Sequence, residues 1–340
     1  MPIQHKRKKS AIGLRRLGPW LVVAAILVAM IVIRNHPDSP PASQIATPPA
    51  TYDVAMQELA DYRVEEAERV LKQVLAAHPD SVRVRDELRW MYFNQFRPRE
   101  LEALLEDGLR FRPDDFSLAV ALLMSEFRPQ NPREVLGYWE RAADRQPEQP
   151  HVLVTLGYCH ARVGNTDQAE RAFQAAANLA PRDTLVRIRV AEFLIDRGDW
   201  SAAHQILNGA DGEPSSNSHD EIYQDQICWL QSLIEESQDH LAAALEHIDR
   251  SLTRNPMELR YLQRRGMLLR RLGRNDDAAA CYARANQLES SIGRLTEIVL
   301  SGDLESPTTA LCHEIAELCD GRGKAFQAAT WKRAAMYAGS

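Results

Sequence analysis

The stretch from residue 151 to residue 183, HVLVTLGYCHARVGNTDQAERAFQAAANLAPRD, decides the fold of this 340-residue chain. Gly157 and Ala169 lie near the middles of two consecutive amphipathic segments, where the lack of a bulky side chain lets two antiparallel helices approach closely. Gly164 is suited to end the first helix in a left-handed turn. Pro181 ends the second helix, because proline disfavours helical backbone in the residue before it. The stretch predicts a pair of packed helices.

The same pattern recurs along the chain at a fixed interval. Pro79, Pro113, Pro147 and Pro181 are spaced by 34 residues, and each closes an amphipathic segment that is followed by a short polar turn. A fixed period in the range of about 20–50 residues is typical of repeat architectures. Pro256 follows Pro181 after 75 residues, which is two periods plus seven. We therefore expect an exposed loop at the intervening polar stretch NGADGEPSSNSHDE.

This pattern of small and large residues resembles the tetratricopeptide repeat superfamily. In the clearest copy, the residues that carry the resemblance are Leu156, Gly157, Gly164, Ala169, Phe173, Ala176 and Pro181. The resemblance covers residues 48–340 and implies an all-α, right-handed superhelical solenoid of about seven to eight helix pairs, with a concave face lined by the first helix of each pair. The repeats are expected near 48–81, 82–115, 116–149, 150–183, 184–217, 225–258, 259–292 and 309–340, with a short extra helix over 293–305.

The beginning of the chain differs from the repeats. Residues 17–33 form an apolar run without a charged side chain, and six Lys or Arg residues precede it. A helix of this length spans roughly 25 Å, enough to cross most of a bilayer core of about 30 Å with Trp20 and Arg34 at the boundaries. Charged residues, including Arg34 and Asp38, follow the run where a signal peptidase would require small residues. We expect a retained transmembrane signal anchor rather than a cleaved signal peptide.

Charge asymmetry predicts the orientation of this anchor. The basic tail, residues 1–16, is expected in the cytoplasm, which places the repeat domain in the periplasm or another extracytoplasmic space as part of a single-pass protein of the inner (plasma) membrane. Residues 35–50 contain five prolines and are expected to form an extended linker. After residue 34 the chain has 34 basic and 47 acidic side chains, a net charge of −13, which argues against a nucleic-acid partner.

Motifs for catalysis or metal binding are weak. The five cysteines, Cys159, Cys228, Cys281, Cys312 and Cys319, lie inside helical patterns and are expected to be buried small hydrophobic residues. HEIAE at residue 313 lacks the second histidine of a zinc-binding helix. GRGK at residues 321–324 lacks the rest of a phosphate-binding loop and falls at an inter-helix turn. We expect no enzymatic activity, no cofactor and no metal.

The resemblance also indicates which residues face the concave groove. Transferring the family's groove positions, and adding basic residues on the corresponding face near residues 260–271, gives the predicted peptide-binding residues: Trp90, Phe93, Asn94, Met124, Phe127, Arg128, Tyr158, Arg162, Arg264 and Arg270. The aromatic members predict an apolar strip with a basic margin, and Arg264 and Arg270 would favour an acidic segment or a carboxylate. An alternative is that individual rings pack between repeats.

These observations predict a membrane-tethered protein–protein interaction scaffold that binds peptide or protein segments outside the cytoplasm. By analogy of architecture, such a scaffold would assist the assembly or secretion of envelope proteins, although a fold does not fix a function. The alternative function is a regulatory or signalling subunit of a membrane complex, acting through its short tail or its anchor. The sequence leaves the client and the oligomeric state open.

Overall fold

The computed structural model describes residues 50–128, 130–208 and 218–338, which form sixteen α-helices and no strand. The helices are α1 Ala50–Ala60, α2 Val64–Ala77, α3 Val82–Asn94, α4 Pro98–Phe111, α5 Phe116–Phe127, α6 Pro132–Arg145, α7 Pro150–Val163, α8 Thr166–Leu179, α9 Thr184–Asp196, α10 Trp200–Asn208, α11 Ser218–Ser237, α12 Leu241–Arg254, α13 Leu259–Arg271, α14 Asn275–Ser301, α15 Thr309–Gly321 and α16 Ala325–Ala334. This all-α architecture of consecutive helices matches a tetratricopeptide solenoid.

The segments predicted to be an anchor, residues 17–33, and a linker, residues 35–50, lie outside the described residues except for residue 50. Within the described part of the chain, no helix combines the length and the apolar character needed to cross a bilayer.

The periodic prolines also set where the next helix begins. Asp115 and Asp183 each lie two residues after a proline and act as N-caps. The Asp115 carboxylate accepts a hydrogen bond from the backbone N–H of Leu118 at 3.2 Å, and that of Asp183 accepts one from Val186 at 2.9 Å. Such a carboxylate satisfies a backbone donor that the first helical turn leaves unpaired. One short polar turn therefore ends one helix and starts the next.

Glycines permit close packing inside two of the helix pairs. A Cβ atom built on Gly157 in α7 would lie 2.8 Å from the Phe173 ring in α8, and one on Gly266 in α13 would lie 2.8 Å from the Tyr282 ring in α14. Ala169 of α8 is completely buried. The large ring on one helix thus fills the space that the glycine leaves on the other, as the sequence predicted for Gly157 and Phe173.

Two helix boundaries differ from the expectations. α14 is continuous from Asn275 to Ser301, so residues 293–301 extend this helix and the separate short helix predicted over 293–305 is wrong. Gly302, with a φ of 85°, ends the helix, and only Asp303–Glu305 form a 3₁₀ turn. α11 already begins at Ser218, inside the polar stretch that was predicted to be a loop.

The largest hydrophobic core joins segments that are far apart in sequence. It contains buried side chains of α1–α7 together with those of the second half of α14, α15 and α16. The two helices expected to form the third repeat have different neighbours: α5 packs against α4, α14 and α16, whereas α6 packs against α7. Phe116 at the start of α5 contacts Trp331 of α16 edge to face, with ring centroids 5.6 Å apart. The last helix pair therefore lies against α5.

A left-handed backbone position recurs at the turn inside the helix pairs. Gly164, Gly198 and Gly273 occupy it with φ values between 76° and 91°. Tyr62 and Phe96 occupy the same position in the first two pairs, with φ values of 61° and 56°. For a bulky residue this backbone conformation is strained by about 1–3 kcal/mol, so contacts of the two rings must compensate for it.

Candidate functional site

Among the predicted groove residues of α3, Trp90 is the exposed one. Its side chain retains 42% of its accessible surface, whereas Phe93 is partly buried against the main core. Asn94 is buried: its amide nitrogen donates to the Trp90 carbonyl at 2.7 Å, and its amide oxygen accepts from the Gln130 side chain at 3.0 Å. Asn94 therefore supports the end of α3, and Trp90 is the residue of this helix that a partner could contact.

Trp90 belongs to a cluster of three aromatic rings, Trp90, Tyr138 and Tyr62, which we call the aromatic patch. The Trp90 and Tyr138 centroids are 5.5 Å apart with nearly perpendicular rings, and the Tyr138 and Tyr62 centroids are 5.4 Å apart. The Arg145 guanidinium lies 5.7 Å above the Tyr62 ring. Burial raises the pKa of the Tyr138 hydroxyl to about 12, so it stays a hydrogen-bond donor at neutral pH. Tryptophan, tyrosine and arginine are the residue types most often dominant in protein interfaces.

The aromatic patch is built from three parts of the chain. Trp90 comes from α3, Tyr138 from α6, and Tyr62 from the turn between α1 and α2. Trp139, next to Tyr138, is fully buried and donates its indole N–H to the Asn94 carbonyl at 3.1 Å, which fixes α6 against the end of α3. The sequence gave no direct indication of Tyr138 as a site residue. The only available signal was an aromatic residue, Tyr62, at a turn position where later repeats carry glycine.

The predicted groove residues of α5 are covered by the end of the chain. Met124 and Phe127 are partly buried against the main core, and the Arg322 guanidinium lies 5.1 Å from the Phe127 ring. Arg128 is exposed and ends the helix, with its backbone N–H donating to the Met124 carbonyl at 2.8 Å. Arg322 belongs to the turn between α15 and α16. This part of the predicted groove is occupied by the chain itself.

Tyr158 of α7 is also covered by the chain. Its ring lies 4.7 Å from the Phe96 ring, and the Arg189 guanidinium lies 4.8 Å above it. The guanidinium of Arg189 also donates to the Phe96 carbonyl at 2.6 Å, so the strained turn residue is held through its ring and its backbone. Arg162, on the same helix as Tyr158, is exposed. Trp90, Phe127 and Tyr158 thus have three different aromatic or cationic neighbours and do not form one continuous open strip.

The basic residues of α13 are largely neutralised by the end of α11. Arg264 pairs with Glu236 at 2.8 Å, and Arg271 pairs with Glu236 at 2.8 Å and with Asp239 at 2.6 Å. Burial lowers the pKa of Arg264, although the Glu236 carboxylate opposes this effect. Arg270 is exposed. The expected preference of this face for an acidic segment therefore depends on Arg270 more than on Arg264.

A buried ionic cluster lies beside the Phe96 turn. Arg97 bridges Glu68 at 2.6 Å and Glu100 at 3.0 Å, and Glu100 accepts a hydrogen bond from the Tyr223 hydroxyl at 2.6 Å. Burial alone would raise the pKa of Glu68, but the charges of Arg97 and Lys72 outweigh it and hold that pKa at about 2. Glu68 is therefore ionised, and the cluster joins α2, α4 and α11 by charge-assisted hydrogen bonds.

A cavity of about 310 Å³ adjoins this cluster, between α2 and the starts of α7 and α9. On its wall, His151 contacts the Asp183 carboxylate at 3.0 Å through Nε2, and its backbone N–H donates to the Glu65 carboxylate at 2.7 Å. Burial would lower the pKa of His151, but the hydrogen bond and charge of Asp183 outweigh it and raise that pKa. These polar groups have partners within the wall, which indicates a structural contact between repeats.

A second ion pair connects the same parts of the chain. The Arg99 guanidinium donates to both oxygens of the Asp225 carboxylate, at 2.6 and 2.8 Å, and also to the Ile222 carbonyl. Asp225 is only 3% exposed, and its other hydrogen bond comes from the Tyr261 hydroxyl at 3.1 Å. The turn between α3 and α4 is therefore bound to α11 by a bidentate, nearly buried pair.

Metal ligands and reactive thiols do not form a site in the described chain. Across residues 50–128, 130–208 and 218–338, no three His, Cys, Asp or Glu side chains are grouped so that they could hold a metal ion. The five cysteines are free and buried, as the sequence predicted. Burial raises the pKa of Cys159 to about 12 and that of Cys319 to about 11, so these thiols remain protonated and unreactive.

Comparison with known protein families identifies the repeats. Models described as tetratricopeptide repeat match residues 120–184 and 231–289 in one case and residues 162–214 in another. The chain therefore contains tetratricopeptide repeats, and the predicted repeat type is confirmed over these segments. Repeats of this kind serve as protein–protein interaction scaffolds. No curated protein matches the chain by sequence.

Several solved structures are similar to the chain at low identity. MamA (residues 41 to the end) from Desulfovibrio magneticus RS-1 is 20% identical, with 52% of this chain and 97% of that chain covered and a TM-score of 0.40. PilF of Pseudomonas aeruginosa is 15% identical, with 72% and 95% covered and a TM-score of 0.40. A tetratricopeptide repeat protein from Parabacteroides merdae is 14% identical, with 75% and 91% covered and a TM-score of 0.38. At these values the similarities carry no information about function.

Proposed function

We propose that this chain is a non-enzymatic protein-interaction scaffold that binds client peptide or protein segments at the aromatic patch of Trp90, Tyr138 and Tyr62. The observation that carries the proposal is the exposure of Trp90 within a supported ring cluster, because an exposed large aromatic residue on a rigid helix is a favourable anchor for a partner. The neighbouring helices provide the rigidity, since Trp139 and Asn94 fix α6 against α3. Arg145 adds an orienting charge at the edge of the patch.

The proposal includes a membrane location. The apolar run at residues 17–33 and the basic residues before it support a single span with a cytoplasmic N-terminus and repeats on the outer side of the inner membrane. In this location, the clients would be segments of envelope proteins during their assembly or secretion. The net charge of −13 after residue 34 supports protein clients over nucleic acid.

Site-specific photo-crosslinking tests the client site. A photoreactive phenylalanine analogue at position 90 of the full-length chain should give protein adducts in cells, because Trp90 is exposed within the patch. The matched control is position 179, where Leu179 at the end of α8 is similarly exposed, at 47%, but lies outside the patch. An absence of adducts at position 90, or the same adducts at both positions, would contradict the proposal.

Membrane tethering needs a separate measurement. A reporter that works only after export, fused after Ser340, should be active, and the full-length protein should remain in the membrane pellet after carbonate extraction. A carbonate-soluble product that begins between residues 35 and 50 would instead establish cleavage. This result would remove the tether from the proposal and leave the client site unaffected.

A further inference from the structure

A basic turn at the end of the chain covers an acidic surface on α4 and α5. The basic turn, residues 321–324 with the sequence GRGK, connects α15 to α16. The acidic surface consists of Glu102, Glu126 and the Phe127 ring. Arg322 forms an ion pair with Glu126 and Lys324 forms one with Glu102, so two cations of the turn meet two carboxylates nearly 200 or more residues earlier in the sequence.

The contact has the composition of a recognition site. The guanidinium of Arg322 stacks on the Phe127 ring at 5.1 Å while it pairs with Glu126, a combination of cation–π contact and ion pair. Glu102 also accepts a hydrogen bond from the Gln327 side chain at 3.3 Å. An aromatic ring between two carboxylates therefore selects an arginine and a lysine separated by one residue.

The chain's own turn is an imperfect ligand for this surface. One terminal nitrogen of Arg322, Nη1, is buried and has no hydrogen-bond acceptor among the described residues. A desolvated donor without an acceptor weakens the contact. The carboxylates remain accessible as well, since the Glu102 and Glu126 side chains are 33% and 30% exposed. A competing cation can reach both from solvent.

The turn is held in place from behind. Arg284 of α14 donates to the Gly321 carbonyl at 3.0 Å, and Gly323 has a left-handed backbone with a φ of 72°. Trp331 of α16, by contrast, is fully buried in the main core. A competitor therefore needs to displace only the two basic side chains of the turn, because the helix pair behind it is anchored separately.

We propose that Glu102, Glu126 and Phe127 form a second client surface, distinct from the aromatic patch, which takes a basic segment of a partner protein with arginine and lysine one residue apart. The chain's own residues Arg322 and Lys324 occupy this surface and compete with the client. Removal of the internal cations should then increase the affinity for a basic segment, and removal of the carboxylates should abolish it.

Fluorescence anisotropy with a synthetic peptide tests the proposal. The probe is a labelled peptide with the sequence of residues 320–329, DGRGKAFQAA, and the control probe carries glutamine at both basic positions. We expect the variant R322Q/K324Q to bind the probe at least tenfold more tightly than the unaltered protein at low salt. Adding E102Q/E126Q to this variant should abolish binding, and the control probe should not bind to any of the proteins.

Two results would overturn the proposal. One is a folded R322Q/K324Q variant that binds the probe no better than the unaltered protein. The other is binding that persists when Glu102 and Glu126 are replaced. If R322Q/K324Q does not unfold cooperatively, Lys324→Gln alone takes its place, because the Lys324 side chain is about one-third exposed. The same order of affinities is then expected, and its absence would again contradict the proposal.

Discussion

Tyr62 and Phe96 occupy the same position in consecutive helix pairs, 34 residues apart, and both combine a left-handed backbone with a ring contact to a distant helix. Tyr62 contacts Tyr138 of α6, and Phe96 contacts Tyr158 of α7. Where later pairs have glycine, these two pairs have a strained aromatic residue whose ring joins them to the middle of the chain. Backbone strain at these turns is therefore coupled to long-range packing.

The coupling predicts opposite effects of glycine at two left-handed positions. Phe96→Gly should lower the free energy of unfolding by about 2 kcal/mol, because the lost ring burial outweighs the relieved strain. Asp239 has a φ of 62° but a side chain that is 81% exposed, so Asp239→Gly should raise the free energy of unfolding by up to about 1 kcal/mol. Urea denaturation measures both. Equal signs for the two changes would contradict this explanation.

The ion pair of Arg99 and Asp225 should be essential for stability. Arg99→Ala should lower the free energy of unfolding by about 3–5 kcal/mol, because it leaves the Asp225 carboxylate buried without its cation. The comparison is Arg69→Ala, which removes a solvent-exposed pair with Glu66 and should leave the urea midpoint unchanged. If Arg99→Ala behaves like Arg69→Ala, Asp225 is more hydrated than its burial indicates.

The contact between His151 and Asp183 predicts a dependence of stability on pH. The folded pKa of His151 is raised above the unfolded value of about 6.5, so its contribution is complete below that value and is lost as the pH rises through the folded pKa. The pKa of Asp183 is lowered, because the His151 hydrogen bond outweighs the effect of burial, so its contribution disappears at acidic pH. Urea midpoints from pH 5 to pH 9 should fall above neutrality, and His151→Gln should flatten this part of the profile. An unchanged slope in the variant would exclude His151 as the cause.

Overpacking should separate the best-formed helix pair. Ala169→Leu in α8 places a larger side chain at a fully buried position facing α7, and we expect it to lower the free energy of unfolding by about 1–3 kcal/mol or more. Gln174→Leu is the control, because position 174 lies on the exposed face of the same helix. Thermal unfolding monitored by circular dichroism compares them. A midpoint that does not change for Ala169→Leu would mean that the helices can move apart at little cost.

Trp90 should determine the affinity for a client. Once photo-crosslinking has identified one, Trp90→Ala should weaken its binding by at least about 2 kcal/mol, the usual scale of a dominant interface residue, without changing the helical content. Tyr158→Ala is the informative comparison, because Tyr158 lies between Phe96 and Arg189 and its loss should affect stability more than binding. Titration calorimetry measures both variants. A larger loss of affinity for Tyr158→Ala would move the client site to the predicted groove.

The 34-residue period was sufficient to predict the local architecture. It predicts helix pairs, because spacing, caps and turn glycines act within one pair: Gly157 faces Phe173, Asp183 caps α9, and Gly164 has the left-handed backbone that a short turn requires. These features depend on neighbours within one or two turns of chain. They are therefore written in the local sequence pattern.

The contacts that cover the predicted groove could not be obtained from the period. Arg322 lies on Phe127 and Phe96 lies on Tyr158, and both contacts depend on where distant helix pairs meet. A repeat pattern specifies how each pair packs on the next, but small changes in that packing accumulate along the array and decide whether distant pairs touch. Asn94 shows the same limit, since it is buried only because α6 packs against α3.

The shared core of the first and last helices has a consequence for the order in which the protein folds. In a repeat array with contacts only between neighbours, each pair can fold as it leaves the ribosome or the export channel. Here α1–α5 share a core with residues 295–335, so the earliest helices cannot complete their packing until the final helix pair has been synthesised. This raises the contact order of an otherwise local fold and leaves apolar surface of the N-terminal helices exposed during synthesis or export, when chaperones would need to protect it.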